Sequence, residues 1–295
     1  MRSPLATLLP LGSAFGYTFA ALLLKRATEN GGGPWRITFL ANWMVALVFS
    51  PWILAGGHPV HLATAAQAML SGCAFFIGQI FTFLALSRGD VSLTTPFLGT
   101  KVLFVALLSP ILSGETLTGS LAISALLTCI ATALLGGEWK SNSERLLPSL
   151  GYGTCAALAF AACDLMQQRW GAQLGFGHFA PIMFGTIGLL TCTLIPFFPA
   201  PLRDLPRTSL LGGLCGGLLL ALQATGIAFS IATFREVTLT NILYATRGIW
   251  SVLVVWAIGH WFGNFEKAIG PAVMKRRLAG ATLLLCAVLW ALLAR

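Results

Sequence analysis

The chain has 295 residues, of which 57% are hydrophobic and only 9% charged, with a formal net charge of +9. A soluble domain carries roughly 25% charged residues, so too few charges are present to clothe a water-facing surface, and the apolar residues are expected to face lipid. The excess base lies in short loops, where it sets orientation and meets anionic headgroups; no basic tract interleaved with aromatics points to nucleic acid.

In lipid only helices and closed barrels satisfy their own backbone groups. Barrel strands alternate apolar and polar residues, whereas this chain has long unbroken apolar runs, so the fold class is all-α integral membrane. Runs of about 20 apolar residues are needed to cross a ~30 Å core. Ten are found. The first, 4–24, is too long for a signal-peptide core and is expected to be a membrane helix rather than a removed leader. Lys25 and Arg36 bracket the loop to the second, 35–54; His58 and His61 follow in a loop and are expected to be solvated. The third and fourth, 63–87 and 91–113, are joined by little more than Arg88-Gly89-Asp90, and Gly114-Glu115-Thr116 leads to the fifth, 118–136. The polar stretch 137–147 lies near mid-chain, where a junction between halves would fall. Then come 148–169, 178–198 and 209–232, the last carrying Gly212/Gly216 and Gly213/Gly217, a spacing that suits close helix packing. Arg235-Glu236 turns into 237–262, and a longer polar stretch, 263–277 with Lys275-Arg276-Arg277 as interface anchors, precedes 278–294. Seven cysteines are scattered singly through apolar segments, with neither CxxC spacing nor histidine partners, and read as packing residues.

The midpoint junction invites a search for a repeat. A shift of 146 sets Asp90-Val-Ser-Leu-Thr-Thr-Pro-Phe-Leu-Gly-Thr-Lys101 against Glu236-Val-Thr-Leu-Thr-Asn-Ile-Leu-Tyr-Ala-Thr-Arg247. Four of the twelve positions are identical, Val91/Val237, Leu93/Leu239, Thr94/Thr240 and Thr100/Thr246. Asp90/Glu236, Ser92/Thr238 and Lys101/Arg247 are conservative. Apolar matches are cheap in a membrane protein; the acid, hydroxyl and base matches carry the inference. With five spans per half, the second half enters the membrane upside down, so ten transmembrane helices are expected as an inverted 5+5 repeat, 1–140 and 148–295.

Lys101 and Arg247 each fall about ten residues into their span, where a charge costs roughly 2.5–3.5 kcal/mol and the side chain cannot reach an interface. Two readings compete: both bases line a polar central cavity, or they are structural partners of Asp164, although one acid cannot neutralise two bases. In a cavity the pair would favour an anionic group, with Arg247 able to fork two hydrogen bonds. Thr240, Tyr244, Arg247 and Ser251 recur at helical spacing and make one face of the ninth span polar; Asn241 lies beside them. Thr94 and Lys101 share the matching face of the fourth. Gln79 and Gln223 occupy corresponding third and eighth spans, as cavity residues or as hydrogen-bonding glue between helices. The expected substrate-binding set is therefore Lys101, Arg247, Tyr244, Thr94, Thr240, Gln79, Gln223 and Asn241, with Asp164 a candidate proton carrier. No metal site, cofactor motif or Ser/His/Asp set is present, which speaks against an enzyme or a primary pump.

Leu112-Ser-Gly-Glu-Thr-Leu-Thr118 resembles the Gly-Glu-x-Leu-Thr hallmark of the EamA-like family of the drug/metabolite transporter superfamily, and Lys25, Arg36 and Ala85-Leu86…Val91 are similar to it as well. The resemblance implies a ten-helix inverted-repeat carrier in the cell (inner) membrane with a cavity between its halves, its partners being a small-molecule substrate and the bilayer, with a homodimer left open. Bases in the fourth and ninth spans are also similar to the plastid sugar-phosphate translocators, where such residues hold phosphate. The second half departs from the family pattern, with Gly259-His-Trp-Phe-Gly-Asn-Phe-Glu266 in place of the Gly-Glu motif. Termini inside, as the resemblance implies, would place 4 of the remaining 16 Lys and Arg inside and 12 outside, against the positive-inside rule. The expected function is a secondary transporter moving a small anionic or zwitterionic metabolite by alternating access. Efflux of lipophilic cations, which in small multidrug carriers needs an acid in the first span, and a non-transporting membrane protein are the alternatives; 4–24 contains no acid.

Overall fold

The structure, a computed structural model, describes residues 3–88, 98–135, 143–258 and 271–293. Among the described residues there are helices and no strands. α1 (Leu5–Ala27) runs into a single π turn, Thr28–Gly32, and α2 (Pro34–Phe49) into a 3₁₀ segment, Ser50–Ala55. α3 is Leu62–Arg88, α4 Lys101–Leu112 and α5 Gly119–Leu135. α6 (Ser143–Leu174) is followed by α7 (Phe176–Thr191), which ends in a 3₁₀ segment, Cys192–Phe197. α8 (Arg207–Phe234), α9 (Val237–Tyr244), α10 (Arg247–Ile258) and α11 (Pro271–Leu293) complete the bundle. Six of these stretches are long and apolar enough to cross a membrane, and Lys101–Leu112 and Gly119–Leu135 are shorter apolar helices.

Two expectations need correction. The sixth span extends beyond 148–169 at both ends, since Ser143–Leu174 is one helix. The ninth is not continuous over 237–262: it breaks at Ala245-Thr246 into α9 and α10. Through the break the hydrogen bonds tighten to three-residue steps, from Thr246 N–H to Leu243 O, Gly248 N–H to Ala245 O and Ile249 N–H to Thr246 O. The Thr246 hydroxyl also donates to Leu243 O at 2.7 Å, a local bond that competes with the helical ladder. Hydropathy cannot register such a break, because both half-helices remain apolar. The stripe Thr240-Tyr244-Arg247-Ser251 is accordingly divided between two helices. The fourth span has the same feature at Thr100, a turn between helical Leu98-Gly99 and α4.

Lipid tails are as apolar as leucine, so helices associate in a membrane through close packing and hydrogen bonds rather than through exclusion of water. α8 supplies the first device. A Cβ on Gly216 would stand 2.8 Å from Leu24 Cγ, and one on Gly212 3.1 Å from Ala27 Cβ, so this pair seats α1. Gly213 and Gly217 face Ile37, Leu40 and Ala41 and seat α2. Gly212 beside Ala27 and Gly226 beside Ser13 make α1 and α8 antiparallel. α3 packs in the same manner on α6, where Gly78 lies under the Phe160 ring. α2 meets α7, with Phe49 and Phe184 stacked at 4.0 Å, while α5 and α11 form a separate pair. These contacts leave a space at the centre, bounded chiefly by α1, α2, α3, α6 and α8.

Candidate functional site

The central cavity has a volume of about 510 Å³. It reaches the end of the bundle where α1 finishes, lined there by Lys25, Thr28, Trp35 and Phe83. Lys25 is half exposed and stands 3.9 Å from Glu29. Arg36, the other base of the first loop, is buried and does different work: its Nε donates to Gly32 O at 2.8 Å and its terminal nitrogens to Gly31 O and Pro201 O at 2.6 and 3.3 Å. It clasps two loops together.

The base of the cavity holds the charges. Lys101 Nζ lies 2.7 Å from Asp164 Oδ2, and Asn241 Nδ2 donates to the same oxygen at 2.8 Å. Breaking a buried pair of this kind leaves a bare charge, so its members hold α4, α6 and α9 in one register. Arg247, at the start of α10, is placed differently. Its guanidinium carbon is 4.8 Å from the Tyr17 ring centre and 4.6 Å from that of Tyr244, within reach of cation–π attraction. Among the described residues it has no ion-pair partner. The Tyr244 hydroxyl donates to Gln223 Oε1 at 2.8 Å. Across the cavity Asn42 and Gln79 exchange amide hydrogen bonds of 2.9 and 3.1 Å, and Asn42 also donates to Thr191 Oγ1 at 2.8 Å.

The structure thus gathers Lys101, Arg247, Tyr244, Gln79, Gln223 and Asp164 on one cavity wall or another. Thr240 and Asn241 are buried away from it: Thr240 Oγ1 sits 3.4 Å from Ser230 Oγ, and Asn241 acts through Asp164. Thr94 lies outside the described residues. Sequence reasoning missed Tyr17, Asn42 and Gln167, all of which line the cavity. A buried polar residue within an apolar span was the available signal for Asn42 and Gln167.

Beyond Asp164 the bundle is closed by a polar lattice at the end where α1 begins. Gly114 adopts φ 71°, a left-handed conformation that glycine takes without strain, and turns Glu115 toward α9. Glu115 Oε2 accepts from the Thr238 hydroxyl at 2.8 Å and from its N–H at 3.3 Å, capping the helix start. Gln168 Oε1 accepts from Val237 N–H at 2.6 Å while its Nε2 donates to Ser113 Oγ at 3.1 Å. Arg169 donates to Leu112 O at 3.0 Å. The Gly-Glu motif therefore has a physical task, joining the end of α4 to the start of α9.

Relatives agree with this architecture. A stretch of 169 residues, 56% of the chain, is 26% identical to an uncharacterized transporter from Archaeoglobus fulgidus and spans 60% of that relative's length. A protein crystal structure superposes with a TM-score of 0.73 over 97% of this chain and 96% of its own, at 19% identity, a likeness of fold. The apolar helices and these similarities describe a multi-pass membrane protein. The stretch that carries Gly114-Glu115-Thr116-Leu117-Thr118 is itself matched: residues 4–137 are similar to the EamA-like transporter family.

Proposed function

We propose that the protein is a secondary transporter of the inner membrane that carries a small anionic or zwitterionic metabolite by alternating access through the central cavity. The observation that carries this reading is a cavity with Lys101 and Arg247 at its base, reached from one end of the bundle and closed at the other by the Glu115–Gln168 lattice. Alternating access needs such a one-sided arrangement around a fixed site.

An inverted 5+5 plan, in which 1–140 and 148–295 are the repeats, is supported by the packing. Counting α9 and α10 as one span, exchanging the first five spans for the last five turns α1 on α8 into α6 on α3, and α2 on α8 into α7 on α3. The pairs α2 with α7 and α5 with α11 map onto themselves. Matching turns at Thr100 and Ala245-Thr246, each followed by a base, fit the same symmetry. The family that residues 4–137 resemble is one of transporters.

Counterflow into proteoliposomes, screened across carboxylates, phosphates and amino acids, tests the proposal. Saturable exchange that is lost in Arg247→Gln, with the variant still monodisperse in detergent, is the expected result. Undiminished flux in both Lys101→Gln and Arg247→Gln would remove these bases from the site, and no flux of any solute would sink the carrier reading.

A further inference from the structure

We infer, resting on the carrier reading above, that the solute is a monoanion with an apolar body, its carboxylate head held by Arg247, and that the Lys101–Asp164 pair lies outside the head-group site. Charge arithmetic carries the first part. Among the described residues the charged side chains lining the cavity are Lys25, Lys101, Asp164 and Arg247. Lys25 stands at the water-exposed mouth beside Glu29, and Lys101 is already neutralised at 2.7 Å by Asp164. One unit of positive charge is left at the base, on Arg247. A monoanion brings that region to neutrality. A dianion would leave an unpaired negative charge at mid-membrane depth and a cation a second positive one, both costly there. A carboxylate also matches the planar fork of the guanidinium, which has the Tyr17 and Tyr244 rings within cation–π distance at one side.

The rest of the wall decides the body. Trp35, Phe75, Phe76, Phe160, Phe184 and Ile187 present apolar surface to the cavity. Several of the polar groups among them are engaged with one another, Asn42 with Gln79 and Thr191 and Tyr244 with Gln223, while Gln167 Oε1 has no hydrogen-bond partner among the described residues. A polyhydroxylated body would lose water against the apolar side chains of this wall, whereas an aryl or alkyl body loses nothing. A volume of about 510 Å³ falls within the range that encloses a drug-sized molecule.

The test titrates the purified full chain in detergent, at about pH 8, with four probes of similar bulk by isothermal calorimetry. They are 3-phenylpropionate, its neutral amide, phenethylammonium, and phenyl phosphate, which is a dianion there because its second pKa is roughly 6. The carboxylate is expected to bind at least about ten-fold more tightly than each of the others. Arg247→Gln should erase that preference, and Arg247→Lys should restore part of it, which separates loss of the head-group contact from loss of fold. Phenyl phosphate or phenethylammonium binding as tightly as the carboxylate, saturable binding by none of the four, or a carboxylate preference that survives Arg247→Gln would each overturn the assignment. The two readings fail separately. Flux of a dianion in proteoliposomes removes the monoanion and keeps the carrier; carboxylate binding without flux of any solute removes the carrier.

Discussion

Lys101 and Arg247 stand at matching places in the two halves, each directly after a threonine at a turn that interrupts a helix, yet their surroundings are opposite. α6 brings Asp164 to Lys101, and Asn241 fixes the carboxylate from a second side. α1, which has no acid between Leu5 and Ala27, brings Arg247 only the ring of Tyr17, to which α9 adds Tyr244. The backbone device is shared and the charge balance is not. One base became an internal tie among three helices, while the other has no close ion-pair partner among the described residues. A pair of bases in a repeat is therefore not a pair of ligands: the partner that folding supplies decides which of them is free to bind.

The largest expected effect falls on the tie. Asp164→Ala leaves Lys101 bare and takes the acceptor from Asn241, and should destabilise the protein by about 3–5 kcal/mol, seen as a lowered unfolding midpoint in detergent. Arg247→Gln, measured in the same way, should lose no more than the roughly 0.5–2 kcal/mol of its cation–π contacts while abolishing anion uptake. If Arg247→Gln unfolds the protein and Asp164→Ala does not, the division of roles is inverted. A double variant, Lys101→Met with Asp164→Leu, removes both charges together and should be more stable than either single change; buried pairs replaced by apolar residues are often neutral or stabilised by about 1–4 kcal/mol. A double variant no better than the singles would mean that the pair is not their shared weakness.

Smaller effects probe the closed end. Gln168→Leu strands the buried Val237 N–H and should cost about 1–3 kcal/mol. Glu115→Ala removes the cap on α9, about 0.5–2 kcal/mol, and should speed labelling of a cysteine placed at position 238 from the side where α1 begins. Labelling unchanged by Glu115→Ala would mean that the motif braces the fold without helping to seal the cavity.

Much of this was legible in residues. The apolar runs gave the helices, the glycine pairs of α8 gave close packing, and the Thr-base correspondence at 100–101 and 246–247 gave the two central charges. Gln79 and Gln223 stood out as polar residues at matching depth, and both reach the cavity. The break at Ala245-Thr246 was hidden because hydropathy averages over a turn, and the division of the polar stripe of the ninth span followed from it. Arg36 and Lys25 looked alike beside one loop; only the fold sends one to carbonyls of two loops and the other to the cavity mouth. Tyr17 was overlooked because an aromatic residue in an apolar span has no signature of its own until a cation stands over it.

The sequence by itself determined that the chain lives in lipid, that its backbone is helical, and that two bases lie deep in matching spans. Those properties follow from composition and from the cost of an unpaired backbone group in hydrocarbon, which are local. Which base is neutralised was decided only in three dimensions. Asp164 lies 63 positions from Lys101 and 83 from Arg247 in the sequence, a separation that carries no information about distance. The packing of α6 against α4 places its carboxylate 2.7 Å from one amine, and with that single contact leaves Arg247 to the cavity.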